Sequence, residues 1–276
     1  MTLMDLSYDD FDVLRQLIYH NSGIWLGDQK ISFLRSRLKG RLRTNNISSH
    51  REYYHFLRYD PQGPEEIQQL IDATTVNETW FFREIAPLEA WLGSVYPVIA
   101  KKGNGLRIWS AGCASGEEPL TLAMLLFEIM PDAAQRDIEI LATDISQTAL
   151  KHARAGLYSA HSLRHTEQRW VHKYFKPSAN GHLQIDEKIL RMMRFGFTNL
   201  IDQSLPGRIF PVNLIVCRNV IIYFAKASRH AVLENFFNIL KPGGYLILGH
   251  AESLLYTKTP FEVARVGDTI MYKKPE

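Results

Sequence analysis

A chain of 276 residues is long enough for one large domain or two smaller ones with a sizeable core. Its apolar content of 46% and charged content of 22% are those of a soluble globular protein, and a net charge of +3 carries no global nucleic-acid signature. The two cysteines, Cys113 and Cys217, form no CxxC pair and the ten histidines no HExxH, which excludes a disulfide framework and a metal centre of familiar spacing and fits a reducing cytoplasm.

In chain order, residues 1–76 read as helices. Ser7 followed by Asp10 resembles a capping box with Asp in place of Glu or Gln, and Phe11, Leu14, Leu17 and Ile18 then mark one helical face that ends at Asn21-Ser22-Gly23. A second helix carries Ile31, Leu34, Leu38 and Leu42 on its buried stripe, with Lys30, Arg35, Arg37, Lys39, Arg41 and Arg43 around it. From Asp28 to Arg58 there are eight Lys/Arg against two acids, a local net of +6, although residues 1–76 together hold nine Lys/Arg and ten Asp/Glu. The positive charge is therefore concentrated, which suits either a solvated helix face or a docking surface for an acidic partner. A third helix follows Ser48-Ser49 with Tyr53, Phe56 and Leu57 buried, Asp60-Pro61-Gln62-Gly63-Pro64 breaks it, and a fourth runs from Glu65 to Asp72. No apolar run reaches the roughly 18 residues of a membrane span. The opening Met-Thr-Leu-Met-Asp-Leu lacks the pattern of a signal peptide.

The stretch 77–92 joins this helical domain to the rest. Its start, Asn77-Glu-Thr-Trp-Phe-Phe-Arg-Glu84, is too aromatic for an idle linker, and reads as an aromatic plug between domains or as a contribution to a site. From residue 93 onward helices and strands alternate, which predicts a parallel sheet. Strands are expected at Leu106–Ala111, Ile138–Thr143, Arg194–Thr198, Asn213–Cys217 and Tyr245–Gly249, with a terminal hairpin of Phe261–Arg265 and Thr269–Lys273. An excursion at about 156–192 holds a short helix near Ser162–Val171. It also holds Asn180-Gly181 between alternating segments, a hairpin signal. It reads as a small antiparallel β-subdomain inserted into the parallel fold.

In such sheets ligands bind beyond the carboxyl ends of the strands, near the switch in strand order. The first strand runs into Gly112-Cys-Ala-Ser-Gly-Glu-Glu-Pro119 and an apolar helix. Pro119 fits a first helical turn, and small residues such as Gly112 let a ligand approach the free amides of that helix. The spacing Gly-x3-Gly is not that of a dinucleotide site. Glu117 and Glu118 would repel a pyrophosphate but tolerate a cationic ligand such as S-adenosylmethionine; an ordinary turn capped by acids is the plainer reading. Asp144 closes the second strand, where an acid can accept ribose hydroxyls or cap the next helix. Asn199-Leu200 follow the third strand and could frame an adenine ring. Arg218-Asn219 follow the fourth, where packing gives them no reason to be. His250-Ala-Glu252-Ser253 follow the fifth and read equally well as loop residues.

Six stretches in order carry a resemblance: 77–84, Trp109–Pro119, Ala142–Asp144, Phe197–Leu200, Cys217–Phe224, and Leu240–Gly244 through Gly249–Ser253. Over nearly its whole length the chain resembles the CheR family of chemotaxis receptor glutamate O-methyltransferases. The resemblance implies an α/β fold of the S-adenosylmethionine-dependent methyltransferase type, Rossmann-like, with a mostly parallel sheet and a terminal antiparallel hairpin. It implies a helical N-terminal domain over 1–76 and an inserted small antiparallel β-subdomain. It also implies that S-adenosyl-L-methionine, leaving as S-adenosyl-L-homocysteine, lies among Asn77, Thr79, Arg83, Gly112, Glu117, Asp144, Asn199, Leu200, Arg218 and Asn219, with no metal. Arg83 and Tyr223 would reach the transferred methyl. The implied substrates are glutamates of the cytoplasmic domain of chemoreceptors (methyl-accepting chemotaxis proteins), met through the basic helix Lys30–Arg43 and the inserted subdomain. Neither nucleic acid nor membrane insertion is expected. Cys113 and Ala114 depart from the usual Ala or Ser/Thr, and Ala251 from the usual Ser, conservatively in size. The rival readings are a catalytically silent S-adenosylmethionine-binding signalling protein, which the presence of Arg83 and Tyr223 disfavours, and a nucleic-acid methyltransferase that would draw on the basic helix.

Overall fold

The computed structural model describes residues 5–276 except 102, 104 and 256, and the chain divides into two compact units. One is the chain up to Val76 together with Tyr223–His230; the other is Asn77–Ile222 with Ala231–Glu276.

The first unit is built on α1 (Tyr8–Ser22), α2 (Ile31–Thr44), α3 (His50–Tyr59) and α4 (Gly63–Thr74). Ser7 caps α1 by accepting from the Asp10 amide at 3.1 Å, and its hydroxyl donates to Asp10 Oδ2 at 2.8 Å. Asp is a methylene shorter than Glu, so the acid meets the serine hydroxyl. Gly23, at φ 76°, ends the helix by donating to the Tyr19 carbonyl. Leu34, Leu38 and Leu42 are fully buried together with Phe11, Leu14, Ile18, Tyr53 and Leu57, as the helical spacing predicts; Phe56 is only half-buried. The basic helix is less uniform than its sequence suggests. Lys30, Arg37, Lys39 and Arg43 are exposed, and Arg35 pairs with Asp5 at 2.6 Å. Arg41 instead turns onto Glu66 of α4, donating from Nε to Oε1 at 2.8 Å and from a second nitrogen to Oε2. The Tyr53 hydroxyl donates to the same carboxylate. Tyr223–His230 joins this unit through an antiparallel bridge of Ile24 with Phe224 and a bond from the Trp25 amide to the Tyr223 carbonyl at 3.0 Å.

The second unit runs α5 (Ala86–Ser94), α6 (Tyr96–Lys101), β1 (Leu106–Ala111), α7 (Glu117–Ile129), β2 (Ile138–Asp144), α8 (Gln147–Ala155), β3 (Leu157–Tyr158), α9 (Gln168–Tyr174), β4 (Phe175–Pro177), β5 (Leu183–Ile185), α10 (Glu187–Leu190), β6 (Met193–Phe197), α11 (Leu205–Arg208), β7 (Val212–Cys217), the part of α12 (Lys226–Ile239) from Ala231 on, β8 (Leu240–Leu248), β9 (Glu262–Val266) and β10 (Thr269–Lys273). The seven-stranded sheet has the order β6-β2-β1-β7-β8-β10-β9. β6 to β8 pair in parallel, and β10 is antiparallel to both β8 and β9. β1 is the pivot, with Ile108 opposite Ile140 on one side and Leu214 on the other. The chain leaves β1 in one direction towards β2 and β6 and returns on its other side as β7 and β8, so the crevice of a strand-order switch opens beyond β1 and β7. The expected mostly parallel sheet with its terminal hairpin is present. So is the small antiparallel sheet of the excursion, in the order β3-β5-β4, with Asn180 at φ 58° in its turn. The expected helix near Ser162–Val171 is displaced. Successive three-residue turns occupy the chain from Ser159 to Thr166, and α9 begins only at Gln168, after Glu167. Among the described residues no helix is long and apolar enough to cross a membrane.

The Arg41–Glu66 pair gives a stability prediction. Burial alone would raise the Glu66 pKa, but hydrogen bonds from Arg41, Tyr53 and Asn45 outweigh it and hold the carboxyl below the ordinary range. A depressed carboxyl stabilises the fold fully above its unfolded pKa of about 4.3 and loses that contribution as pH falls through the lower folded value. Glu66→Gln should therefore flatten the fall in stability on acidification below about pH 4.3. Arg41→Met, which strands a carboxylate only 5% exposed, should cost about 3 kcal/mol in urea unfolding at pH 7. An unchanged midpoint in Arg41→Met would remove the pair from the core of this unit.

Candidate functional site

The turn from β1 to α7 is shaped by its backbone. Gly112 (φ 80°), Ala114 (φ 47°) and Gly116 (φ 95°) all adopt left-handed conformations. A Cβ on Gly112 would lie 2.5 Å from Val220, so the approach of the β7 loop demands glycine there. The amides of Gly112 and Cys113 both donate to the Thr143 carbonyl, at 2.8 and 2.9 Å. Asp144, at the end of β2, then accepts from the Ala114 amide on one oxygen and the Ser146 amide on the other, each at 2.8 Å. Ser146 itself caps α8 by accepting from the Ala149 amide. The sequence expected Asp144 to bind ribose or cap that helix; the carboxylate in fact also ties the glycine turn to the start of α8.

Two acids open α7, and their surroundings differ. Glu117 is 1% exposed. Burial pushes its carboxyl pKa up, opposed by a bond from the Ser115 hydroxyl to Oε2 at 2.7 Å. Tyr158 closes the underside, its hydroxyl donating to the Ser115 carbonyl at 2.8 Å. Glu118 accepts from Ser110 of β1 at 2.7 Å and from Arg218 Nε at 2.8 Å. Arg218 also donates from one terminal nitrogen to the carbonyls of Arg83 and Glu84, at 2.7 and 2.8 Å. Arg218, which the resemblance implies as a cofactor contact, is through these bonds also a buried strut from β7 to α7 and to the 77–84 segment.

That segment is anchored at several points. Phe81 is fully buried, edge-on to Tyr158 and Phe175 with centroids 4.7 and 5.1 Å away. The Phe82 amide donates to Thr121 of α7 at 3.1 Å. Asn77 donates to Ser146 at 3.4 Å, beside Asp144. Thr79 is half-buried. Phe82 (φ 61°) and Glu84 (φ 44°) are left-handed, and Arg83 stands between them. Its guanidinium lies over the Trp80 ring at 4.5 Å and donates to the Glu78 carbonyl at 2.9 Å. Arg83 Nε is buried with no hydrogen-bond partner among the described residues; Glu84 Oε1, at 4.0 Å, is beyond bonding distance.

Beyond β6 the Thr198 amide donates to the Asp144 carbonyl at 3.0 Å, which sets Asn199 and the buried Leu200 beside the same turn. Asn235 fixes this loop by donating to the carbonyls of Leu200 and Asp202. Beyond β7, Asn219 (φ 60°) is held by Glu252. That carboxylate accepts from the amides of Asn219 at 2.7 Å, Val220 at 2.9 Å, Ile222 at 3.3 Å and Gly249 at 2.8 Å. Asp144 thus gathers Asn77, Gly112, Asn199 and Leu200 through these bonds, while Glu117, Arg218, Arg83 and Asn219 follow from the α7 and β7 ends. Tyr223 belongs to the helical unit and is not among them. Reading the sequence passed over Asn235, and took Glu252, within His250-Ala-Glu252-Ser253, as a loop residue as readily as a site residue. An acid just beyond a central strand was the available signal for Glu252.

Glu252→Ala would leave four amides without their acceptor. It should lower stability by about 4 kcal/mol or more in urea unfolding, since each buried unsatisfied group costs about 1–3 kcal/mol. Glu252→Gln should fall between, because its NH₂ opposes two of the donors. Wild-type midpoints for both variants would show that the loops hold themselves.

The chain matches the family "CheR methyltransferase, SAM binding domain" over residues 77–270 and "CheR methyltransferase, all-alpha domain" over residues 9–75. It is similar to chemotaxis protein methyltransferase 2 of Vibrio cholerae, with 38% identity over 96% of this chain and 93% of that protein. It is also similar to a chemotaxis protein methyltransferase of Borreliella burgdorferi, with 34% identity over 91% and 90%. A third relative, chemotaxis protein methyltransferase 1 of Pseudomonas aeruginosa, is 31% identical over 98% and 99%. The site fits S-adenosylmethionine on its own terms. An acid at the helix mouth suits a cationic methionyl moiety, and the turn at Gly112 (φ 80°), where a Cβ would meet Val220, admits close approach. The chain belongs to the CheR methyltransferase family and is an S-adenosylmethionine-dependent methyltransferase of chemotaxis.

Proposed function

We propose that the chain transfers the methyl group to glutamate side chains of chemoreceptors, forming methyl esters, in a cytoplasmic setting. The observation that carries this reading is the buried, unpartnered Nε of Arg83, a donor that suits a carboxylate. S-adenosylmethionine supplies, when bound, an electrophilic methyl on a sulfonium. Asn77, Thr79, Gly112, Glu117, Asp144, Asn199, Leu200 and Asn219 would hold it, and Arg218 would keep the turn and the 77–84 segment in place around it. A glutamate carboxylate, with a reference pKa of about 4.3, is already an anion at neutral pH and needs no general base. What the protein must add is orientation and partial desolvation. Arg83 orients the carboxylate; Tyr223, on the loop after β7, is carried from the family resemblance as a second orienting hydroxyl. Too strong a grip would stabilise the ground-state anion and slow transfer.

The decisive experiment is transfer of tritiated methyl to receptor-bearing membranes, followed by alkali. Esters release volatile labelled methanol; label that survives alkali would overturn the glutamate assignment. Arg83→Lys and Tyr223→Phe should each lower kcat about tenfold while S-adenosylhomocysteine binding by calorimetry survives, because a point charge cannot reproduce the guanidinium fork. Wild-type kcat in both would leave the family standing and remove these two roles.

The exposed face of α2 is proposed as the receptor-docking surface. Its charge is complementary to an acidic partner, and Lys39 is exposed while Arg37 lies over Phe33 at 5.1 Å. Arg37→Glu with Lys39→Glu should raise KM for receptor without changing cofactor affinity. The effect should shrink with salt, since exposed charges are screened within about 10 Å at 0.1 M. Insensitivity to both mutation and salt would leave the face as solvated surface. The inserted β-subdomain is the second proposed contact.

A further inference from the structure

The turn at 159–165, in the excursion, packs against the segment that carries Arg83. Leu163 is buried in the core of the sheet unit, and the Ser162 carbonyl accepts from the Phe81 amide at 3.0 Å. Arg164 then reaches the same two residues that hold Arg83. Its guanidinium lies over the Trp80 ring at 4.3 Å and donates to Glu78 Oε1 at 2.8 Å, while its other terminal nitrogen donates to the His161 carbonyl at 2.7 Å. Arg83 lies over that ring at 4.5 Å and donates to the Glu78 main-chain carbonyl. One indole and one glutamate therefore serve two arginines, one from each segment.

We propose that Arg164 is a positioning residue for methyl transfer: by fixing Glu78 and Trp80 from the excursion, it holds the Arg83 guanidinium where the substrate carboxylate must meet it. The inference rests on the reading of Arg83 given above. Arg83 is a long side chain with two left-handed neighbours and an unpartnered Nε, so the protein places it chiefly through the Trp80 ring and the Glu78 carbonyl. Free arginine side chains carry about 2 kcal/mol of rotamer entropy, and a stacked, hydrogen-bonded support removes part of it before the substrate arrives. Little stability is at stake. Glu78 is 59% exposed, and an ion pair with so exposed a partner contributes little to folding. The loss of Arg164 should appear in kcat rather than in the unfolding midpoint. On this view the excursion is part of the catalytic apparatus, and whatever shifts its 159–165 turn shifts Arg83.

The test is a double-mutant cycle in the full chain, read as kcat on receptor-bearing membranes at saturating cofactor. Arg164→Ala should lower kcat about tenfold, the scale of a modest misplacement, with KM for receptor, S-adenosylhomocysteine affinity and melting temperature near wild type. In an Arg83→Ala background the same change should have less than about a twofold further effect, because its target is gone. Arg164→Lys, which keeps the charge opposite Glu78 but loses the planar stack, should recover part of kcat. If Arg164→Ala does not fold, Arg164→Lys and Glu78→Gln are carried through the same cycle. Wild-type kcat in Arg164→Ala, or effects that multiply independently with Arg83→Ala, would overturn the proposal while leaving Arg83 in its role. Wild-type kcat in Arg83→Ala would overturn both.

Discussion

The Arg218 guanidinium is the interaction on which the site depends. Its side chain is 4% exposed and meets Glu118 at the first turn of α7, and through Glu118 the β1 serine. It also accepts responsibility for two carbonyls, those of Arg83 and Glu84, in a segment far away in sequence. A buried ion pair is a poor source of net stability, because desolvation offsets its attraction. Breaking it is a different matter, since the remaining charge has nowhere to go. The pair therefore fixes geometry: it makes the ends of β1 and β7 and the 83–84 turn one object.

The backbone around the site is strained, and each strained residue has a clamp. Ala114 is held by Asp144, Asn219 by Glu252, Glu84 by Arg218 and Phe82 by Thr121. A left-handed conformation costs a residue with a Cβ on the order of 1–3 kcal/mol and persists only where its surroundings over-determine it. Here three clamps are ionised side chains buried against backbone dipoles, the stronger class of hydrogen bond. The strain buys turns that aim amides and side chains into the crevice at the strand-order switch. It also explains why so many polar residues near the site are occupied with the protein itself. Asp144, Glu118, Arg218 and Glu252 build the site before anything binds to it.

This division suits the chemistry. On the proposed reading, methyl transfer to a carboxylate needs no proton moved, so the fold can devote its charged groups to rigidity and leave few for the substrate. The conspicuous exception is Arg83, whose Nε is buried with no hydrogen-bond partner among the described residues. The aromatic segment that carries it is pinned to α7, to the excursion and to β7 at once, through Phe82, Phe81 and Arg218. The inserted sheet is thus joined to the main one by more than its two connections.

Much of this was legible in the sequence. Periodicity located the helices of the first unit, because an isolated helix must bury one face and Leu34, Leu38 and Leu42 can serve only one. Strand β1 stands where its apolar pattern places it, since a strand buried on both sides admits little else. The ordered motifs identified the family and the cofactor. Partner choice was not legible. Arg41 reads as one more charge on a basic helix, and only α3 and α4, packed beside it, supply Tyr53 and Glu66. Arg218 reads as a ligand-binding residue until the chain brings Glu118, 100 residues away, and the Arg83 carbonyl, 135 away, within bonding distance. Glu252 reads as a loop acid until four amides from two strand ends converge on it. The sequence by itself determined the helices of the first unit and the strands of the main sheet, because these depend on spacing along the chain; it misplaced the helix of the excursion, which begins at Gln168 after a run of turns. The tertiary structure alone decided which charges pair, because a hydrogen bond is settled by distance in space.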